Sequence, residues 1–263
     1  MGYKQQDILV QINEGVATII FNRPEKLNAV NEEMVDEFND VLLGVAADNQ
    51  VRSVILTGAG RAFCAGADRK STVFNKENPA AFLVFMQKIS AMVIALREMP
   101  KPVIAAVNGV AFGGGCNLAL ACDILIASES AVFSQIYSLI GIHPDTGGTY
   151  FLPRLVGSAK ACELLFTGRP VDAAEAKEIG MVNKVVPANQ LETTARTLAT
   201  ELTQRSPLAM EMIKKSLYQG LNADLETVLE QEARALSILM FSADHKEAIS
   251  ALQEKRAPVF KGR

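Results

Sequence analysis

The sequence predicts an α/β protein whose C-terminal third is helical, and three observations carry that prediction. Short apolar strand patterns alternate with amphipathic helix patterns up to Gly157; two of those strands run directly into glycine-rich turns; and beyond Gly157 helical periodicity continues while strand signals nearly vanish. With 263 residues, 49% of them hydrophobic, the chain can bury one large core or a core plus a helical extension.

The elements follow in order. Ile8 to Ile12 and Val16 to Phe21 read as strands joined by the hairpin signal Asn13-Glu14-Gly15, and Asn22-Arg23-Pro24 ends the second. Asn31 then caps a helix, with Glu32 and Glu33 in its first turn and Met34, Val35, Phe38, Val41, Leu42 and Val45 on one apolar face. The buried strand Val54 to Thr57 enters the glycine loop Gly58 to Lys70, and a helix follows from Pro79 to Met99. Val103 to Val107 is the next strand, the triplet Gly113-Gly114-Gly115 opens a helix through Cys122, and Ile124 to Ala127 is a further strand. Helical patterns then cover Ala159 to Thr167, Ala173 to Ile179, Leu191 to Gln204, Pro207 to Gln219, Leu221 to Phe241 and Lys246 to Gln253, interrupted by one strand at Val182 to Val186. Pro207 stands in a first helical turn, where its missing N–H has no partner to lose.

Composition narrows the function. A net charge of −3 with scattered Lys and Arg offers no basic face for nucleic acid, and no apolar run is expected to reach membrane-span length. The start MGYKQQDILV lacks the charged and apolar regions of an export signal, so a cytoplasmic location is expected. Cys64, Cys116, Cys122 and Cys162 lie in apolar contexts and read as buried thiols, and with His143 and His245 as the only histidines no metal site is expected.

The glycine triplet points to chemistry. Backbone N–H groups at a helix start carry partial positive charge and favour an oxygen that is becoming negative. The second loop, Ala62 to Asp68, can supply another N–H, although close packing without a ligand uses the same residues. Asp145, in HPDTGGT, reads as an acid or base for proton transfer or as the N-cap of a helix starting near Thr146.

Together NRPEKLNA (22–29), AFCAGAD (62–68), VNGVAFGGGCNLAL (107–120), PDTGGT (144–149), LPRLVG (152–157), Thr167-Gly168, GMVNKVV (180–186) and EKR (254–256) resemble the crotonase superfamily, the enoyl-CoA hydratases and isomerases, over nearly the whole chain. The resemblance implies a crotonase-like spiral of ββα turns in residues 1–195, holding the coenzyme A and oxyanion site. It implies a helical oligomerisation region in 196–263 that builds a homotrimer or a dimer of trimers. It also implies that the N–H groups of Ala67 and Gly114 hold the thioester oxygen of an acyl-CoA. Lys26, Leu27, Ala29, Ala65 and Asp68 then belong to the segments lining the nucleotide slot, Lys70 and Lys255 lie near the nucleotide and its phosphates, and Tyr137 shapes the acyl site. Coenzyme A would arrive as part of the substrate, with no permanently bound cofactor.

One departure bears on the reaction. Two-carboxylate hydratases of the superfamily carry a Glu just after the glycine turn and a second about two dozen residues on; these positions are Asn117 and Tyr137 here, while Asp145 replaces a glycine. The pattern looks like the 1,2-epoxyphenylacetyl-CoA and Δ3,Δ2-enoyl-CoA isomerases, in which one carboxylate can take a proton from one carbon and return it to another. Asn117 would orient substrate or a water without titrating, and His143 would form a wall. An enoyl-CoA hydratase and a non-catalytic CoA-binding homologue are the alternative readings. Ser71 to Ala81, rich in polar residues and breakers, reads as a mobile wall of the acyl pocket.

Overall fold

Strands β1 (Ile8–Asn13) and β2 (Val16–Phe21) form an antiparallel hairpin whose turn residues, Glu14 and Gly15, both take positive φ, 51° and 79°. That is the turn whose twist matches the strands it joins. The computed structural model describes residues 7–71 and 78–263; residues 72–77, the centre of the stretch read as a pocket wall, lie outside the described residues.

From β2 onward the chain winds in a spiral. Strands β3 (Ser53–Gly58), β5 (Val103–Val107) and β7 (Ile124–Ser128) stack in parallel, and β10 (Lys184–Val186) closes a six-stranded sheet of order β1-β2-β3-β5-β7-β10. Each of β3, β5 and β7 is followed by a three-residue strand, β4 (Ala62–Cys64), β6 (Val110–Phe112) and β8 (Val132–Ser134). These pair in parallel in a second sheet that β9 (Pro170–Asp172) completes in antiparallel sense. Helices α1 (Glu32–Ala47), α2 (Pro79–Glu98) and α3 (Gly114–Ala121) return the chain from one turn to the next. The fold is thus an α/β spiral of ββα turns: the alternation of patterns predicts the α/β class, and the family resemblance implies the spiral.

The large sheet is covered on both faces. On one, α1 buries all six residues of its predicted face, and Phe21 meets Phe38 and Phe63 edge-on at 5.2 and 5.5 Å between ring centroids. On the other, Val16, Ile55, Ile104, Ala106 and Ile126 pack beneath α7 (Leu191–Thr203), whose Ala195 and Ala199 are buried. Burial on both faces explains why the strands read as continuous apolar runs. Helix α7 runs unbroken across residue 195, where a boundary was expected, and Ser53 Oγ donates to Ala199 O at 2.9 Å. The helices beyond this covering layer are α8 (Pro207–Gly220), α9 (Leu225–Met240) and α10 (Ala243–Glu254).

A charged cluster fixes α8 to the spiral. Lys214 Nζ donates to Asp123 Oδ2 at 2.8 Å and to the Leu96 and Lys101 carbonyls at 3.2 Å, Tyr218 OH donates to Asp123 Oδ1, and the Arg97 guanidinium lies 3.2 Å from the Tyr218 ring centroid. Burial lowers the Lys214 pKa and the Asp123 charge opposes it, so the pair is held by mutual compensation.

Two expectations change. Cys162, on α5 (Ser158–Thr167), is exposed, whereas Cys64, Cys116 and Cys122 are buried as expected, with burial pushing the first two thiols up to about 12. Helix α2 is 20 residues long and apolar enough by composition to cross a membrane, contrary to the expectation that no run reaches that length. In this fold Phe85, Ile89, Met92, Val93 and Leu96 of α2 are buried and the helix packs beside α1.

Glycine permits adjacent turns of the spiral to approach closely. A Cβ on Gly109 would lie 2.1 Å from the Arg61 carbonyl oxygen, closer than any packing allows. Gly109→Ala is expected to cost about 1–3 kcal/mol or more by urea unfolding. Gly141→Ala meets nothing within 4 Å and bears only the left-handed φ of 70°, so about 1 kcal/mol is expected there. Equal losses in the two variants would contradict the close-approach account.

Candidate active site

The two glycine loops converge at the ends of β4 and β6. Gly115 lies where a Cβ would sit 2.1 Å from the Cys64 carbonyl oxygen, and a Cβ on Gly66 would sit 3.0 Å from Phe112 O and 3.8 Å from Gly114 N. Gly66 and Gly113 both need positive φ, 93° and 52°. Val30 pairs with Ala67 as an isolated parallel bridge, its N–H reaching Gly66 O at 2.7 Å and its carbonyl accepting from Asp68 N at 2.8 Å. That bridge uses the residues either side of Ala67 and leaves the Ala67 N–H unused. Among the described residues, neither the Ala67 nor the Gly114 N–H has a protein acceptor, and both residues line one cavity.

The cavity encloses about 1010 Å3. Helix α2 walls it with Phe82, Phe85, Met86, Ile89 and Met92, the segment after β8 adds Ile136, Ile140 and Ile142, and the polar lining consists of Arg69, Tyr137, His143, Asp145 and Thr146. Thus His143 is a wall residue, as expected; its Nδ1 lies 2.6 Å from Pro144 O.

Asp145 stands beside the glycine triplet: a Cβ on Gly114 would lie 3.4 Å from its Oδ1. That oxygen accepts from Tyr137 OH at 2.6 Å and from Thr146 Oγ1 at 2.8 Å. Asp145 is not a helix cap. Helix α4 (Gly148–Val156) starts two residues later than expected, Gly147 is its N-cap, and Asp145 contributes only its carbonyl, to Gly148 N at 2.9 Å. Thr146 is a β-branched residue held at φ 53°, a strained conformation that costs on the order of 1–3 kcal/mol and that brings its hydroxyl to the carboxylate. Asn117, expected to orient substrate or a water, is fully buried and not among the residues lining the cavity; its Nδ2 donates to Asp145 O at 2.8 Å and Tyr137 OH at 2.9 Å, and its Oδ1 accepts from Gln135 Nε2 at 2.8 Å. Burial and the neighbouring Asp145 charge push the Tyr137 phenol far above its ordinary pKa, keeping it a neutral donor.

The segments expected to line a nucleotide slot do meet. Leu27 and Asn28 take left-handed φ of 52° and 56°, Ala65 N donates to Leu27 O at 3.0 Å, and the buried Asn28 amide donates to Ala59 O and Ala62 O at 3.0 and 2.7 Å. Arg23 donates to Ala29 O and pairs with Asp68 at 2.9 Å, so the Asp68 carboxylate faces Arg23. Lys26 and Lys70 are exposed on these segments. Lys255 is exposed as the left-handed C-cap of α10 (φ 54°) and does not line the cavity. Arg23, Asn28, Arg69, Gln135 and Thr146 were not singled out by sequence; Arg23, Asn28 and Thr146 lie inside quoted motifs, but Gln135 carries no sequence signal.

The sequence model of the enoyl-CoA hydratase/isomerase family matches residues 11–263. The chain is 40% identical over 258 residues to the 1,2-epoxyphenylacetyl-CoA isomerase of Escherichia coli, covering 97% of this chain and 98% of that one. It is 39% identical over 252 residues to a short-chain-enoyl-CoA hydratase of Clostridium acetobutylicum, covering 95% of each. A crystal structure of an enoyl-CoA hydratase from Bacillus anthracis superimposes with a TM-score of 0.94 at 38% identity, covering 98% of this chain and all of that one.

The Arg23–Asp68 pair ties the two loop segments together, and both side chains are only 13% and 12% exposed. Burial raises the Asp68 pKa, but hydrogen bonds from Arg23 and Lys70 N outweigh it and hold the carboxyl below its ordinary 3.8. A carboxyl with a depressed folded-state pKa stabilises the fold above its unfolded pKa and loses that contribution as pH falls through the folded value. Asp68→Asn is therefore expected to cost about 1.5–3 kcal/mol at pH 7, and the difference from wild type should shrink as pH falls below 3.8. A pH-independent difference in urea unfolding would contradict this.

Proposed function

The chain belongs to the enoyl-CoA hydratase/isomerase family, and on that premise we propose that it isomerises acyl-CoA thioesters, moving one proton with a single carboxylate, Asp145. The thioester oxygen sits between the N–H groups of Ala67 and Gly114. There the electrons released when the neighbouring carbon loses its proton collect as an enolate, and one such donor typically supplies about 3–4 kcal/mol of barrier lowering. Asp145 takes that proton and delivers it to a second carbon of the same substrate, so no second acid or base is consumed.

The observation that carries this reading is the identity of the groups around the carboxylate. At the two positions where two-carboxylate hydratases hold acids, this chain has Asn117 and Tyr137, and both are spent as hydrogen-bond donors toward Asp145. Among the described residues, Asp145 is the sole carboxylate lining the cavity. The apolar wall supports hydrocarbon or aromatic acyl groups, as 3-enoyl or ring-epoxide phenylacetyl thioesters. Coenzyme A enters as part of the substrate, its nucleotide placed along Lys26, Leu27, Ala29, Ala65 and Asp68 with Lys70 near the phosphates, and no cofactor is permanently bound. We assign assembly as a homotrimer or dimer of trimers to the helices beyond the core, where exposed Ile213, Leu217, Leu225, Leu229 and Leu236 call for cover.

Asp145→Asn keeps the side-chain shape but cannot take a proton. It is expected to fold and bind acyl-CoA while turnover of a 3-enoyl or ring-epoxide phenylacetyl thioester, with the product identified, falls by at least about a hundredfold. Rapid hydration of a 2-enoyl thioester by the wild type, with no isomerisation of either other thioester, would instead establish the hydratase reading. Light scattering at micromolar concentration should give three or six chains per particle; a monomer would overturn the assembly.

A further inference from the structure

Behind Asp145 lies a chain of three side chains whose hydrogen-bond directions can be fixed from acceptors alone. The Asp145 carbonyl can only accept, so the Asn117 atom 2.8 Å from it is the amide nitrogen. The same nitrogen faces Tyr137 OH at 2.9 Å, so the phenol oxygen accepts there and its single proton goes to Asp145 Oδ1 at 2.6 Å. The other end of Asn117, its Oδ1, faces Gln135, which must present its Nε2 at 2.8 Å. That orientation leaves Gln135 Oε1 buried without a partner. A buried orphan oxygen is a feature folding disfavours, and here it is the cost of pointing every donor toward Asp145. With Tyr137 and Thr146 both on Oδ1, no donor among the described residues occupies Oδ2.

We propose that Tyr137 is the positioning residue of the site: Gln135 and Asn117 set the direction of its hydroxyl, the hydroxyl clamps Oδ1 of Asp145, and Oδ2 is the oxygen that moves the proton. The role of Tyr137 is then to hold the carboxylate aimed, beyond shaping the acyl pocket. Among the described residues, the other charged or titratable groups around the carboxylate are Arg69 and His143 on the cavity wall, with Cys116 of α3 beyond the phenol. Among them, only Tyr137 and Thr146 donate to the carboxylate from side chains.

The proposal rests on Asp145 acting as the base, and its test separates the two. Carboxyl 13C titration of the labelled protein, with the Asp145 signal assigned by D145N, reads the clamp without any substrate. In Y137F the Asp145 carboxyl is expected to titrate higher than in the wild type, because a hydrogen bond to its charged form is gone. The acid limb of kcat/KM for isomerisation should move by the same amount, and kcat should fall about tenfold or more. Replacing Tyr137 by 3-fluorotyrosine, a near-isosteric and stronger donor, should move the titration the opposite way, a readout that survives if Y137F does not fold. N117L should reproduce part of the Y137F shift, and N117L/Y137F should add nothing to Y137F alone. An Asp145 titration unchanged in both Y137F and the 3-fluorotyrosine protein would overturn the proposal. Shifts as expected without isomerisation of any thioester would leave the clamp standing and remove the isomerase reading.

Discussion

The close approach of two backbone loops is the constraint on which this site depends. Cys64 O, Arg61 O and Phe112 O each occupy space that a side chain on Gly115, Gly109 or Gly66 would fill. Because those glycines have no Cβ, β4 and β6 lie side by side, and the turns leaving them present the N–H groups of Ala67 and Gly114 to one cavity. Two main-chain donors held by packing need no reorganisation as charge develops, the condition under which such donors contribute most. Their strength comes from the whole spiral, since the parallel pairing of β4, β6 and β8 sets the spacing of the turns.

The acid is positioned by different means. The stretch carrying Asp145 has little regular structure before α4, and its geometry comes from strain and hydrogen bonds: Thr146 at φ 53°, Gly147 at 81°, and a network running back through Tyr137 and Asn117 to Gln135. Gly148 is required for that network, because a Cβ there would fall 2.5 Å from Asn117 Nδ2. Thus the helix that opens at Gly114, α3, also supplies the amide that orients the groups around the carboxylate. The Gly114 N–H and Asp145 are fixed relative to each other by one eight-residue helix.

Much of this was legible in the chain. The apolar face of α1, the strands of the large sheet and the glycine triplet each have a local signature, and all were found where the sequence put them. The small sheet was not, because β4, β6, β8 and β9 are three residues long and are made by pairing between distant segments, not by any period of their own. Asp145 stood out as an acid near the glycine loop, yet its partners did not: Gln135 gains its position only when the turn after β8 folds against α3. Asn117 misled for the same reason, since a polar residue in a glycine-opened helix looks available to substrate until the depth of its burial is known. The exposed Cys162 likewise reflects which face of a helix the tertiary fold turns outward.

The central claim is that one carboxylate carries a proton between two carbons of an enolate held by main-chain donors. It is tested most directly by giving the protein a 3-enoyl-CoA doubly deuterated at the carbon next to the thioester, in water enriched in 18O, and analysing the product by mass spectrometry with positional assignment. The account predicts an isomerised product with no added oxygen and with part of the deuterium carried to the carbon just beyond the new double bond, the far carbon of the original one. A product that has gained 18O as a hydroxyl and carries no transferred deuterium would contradict it.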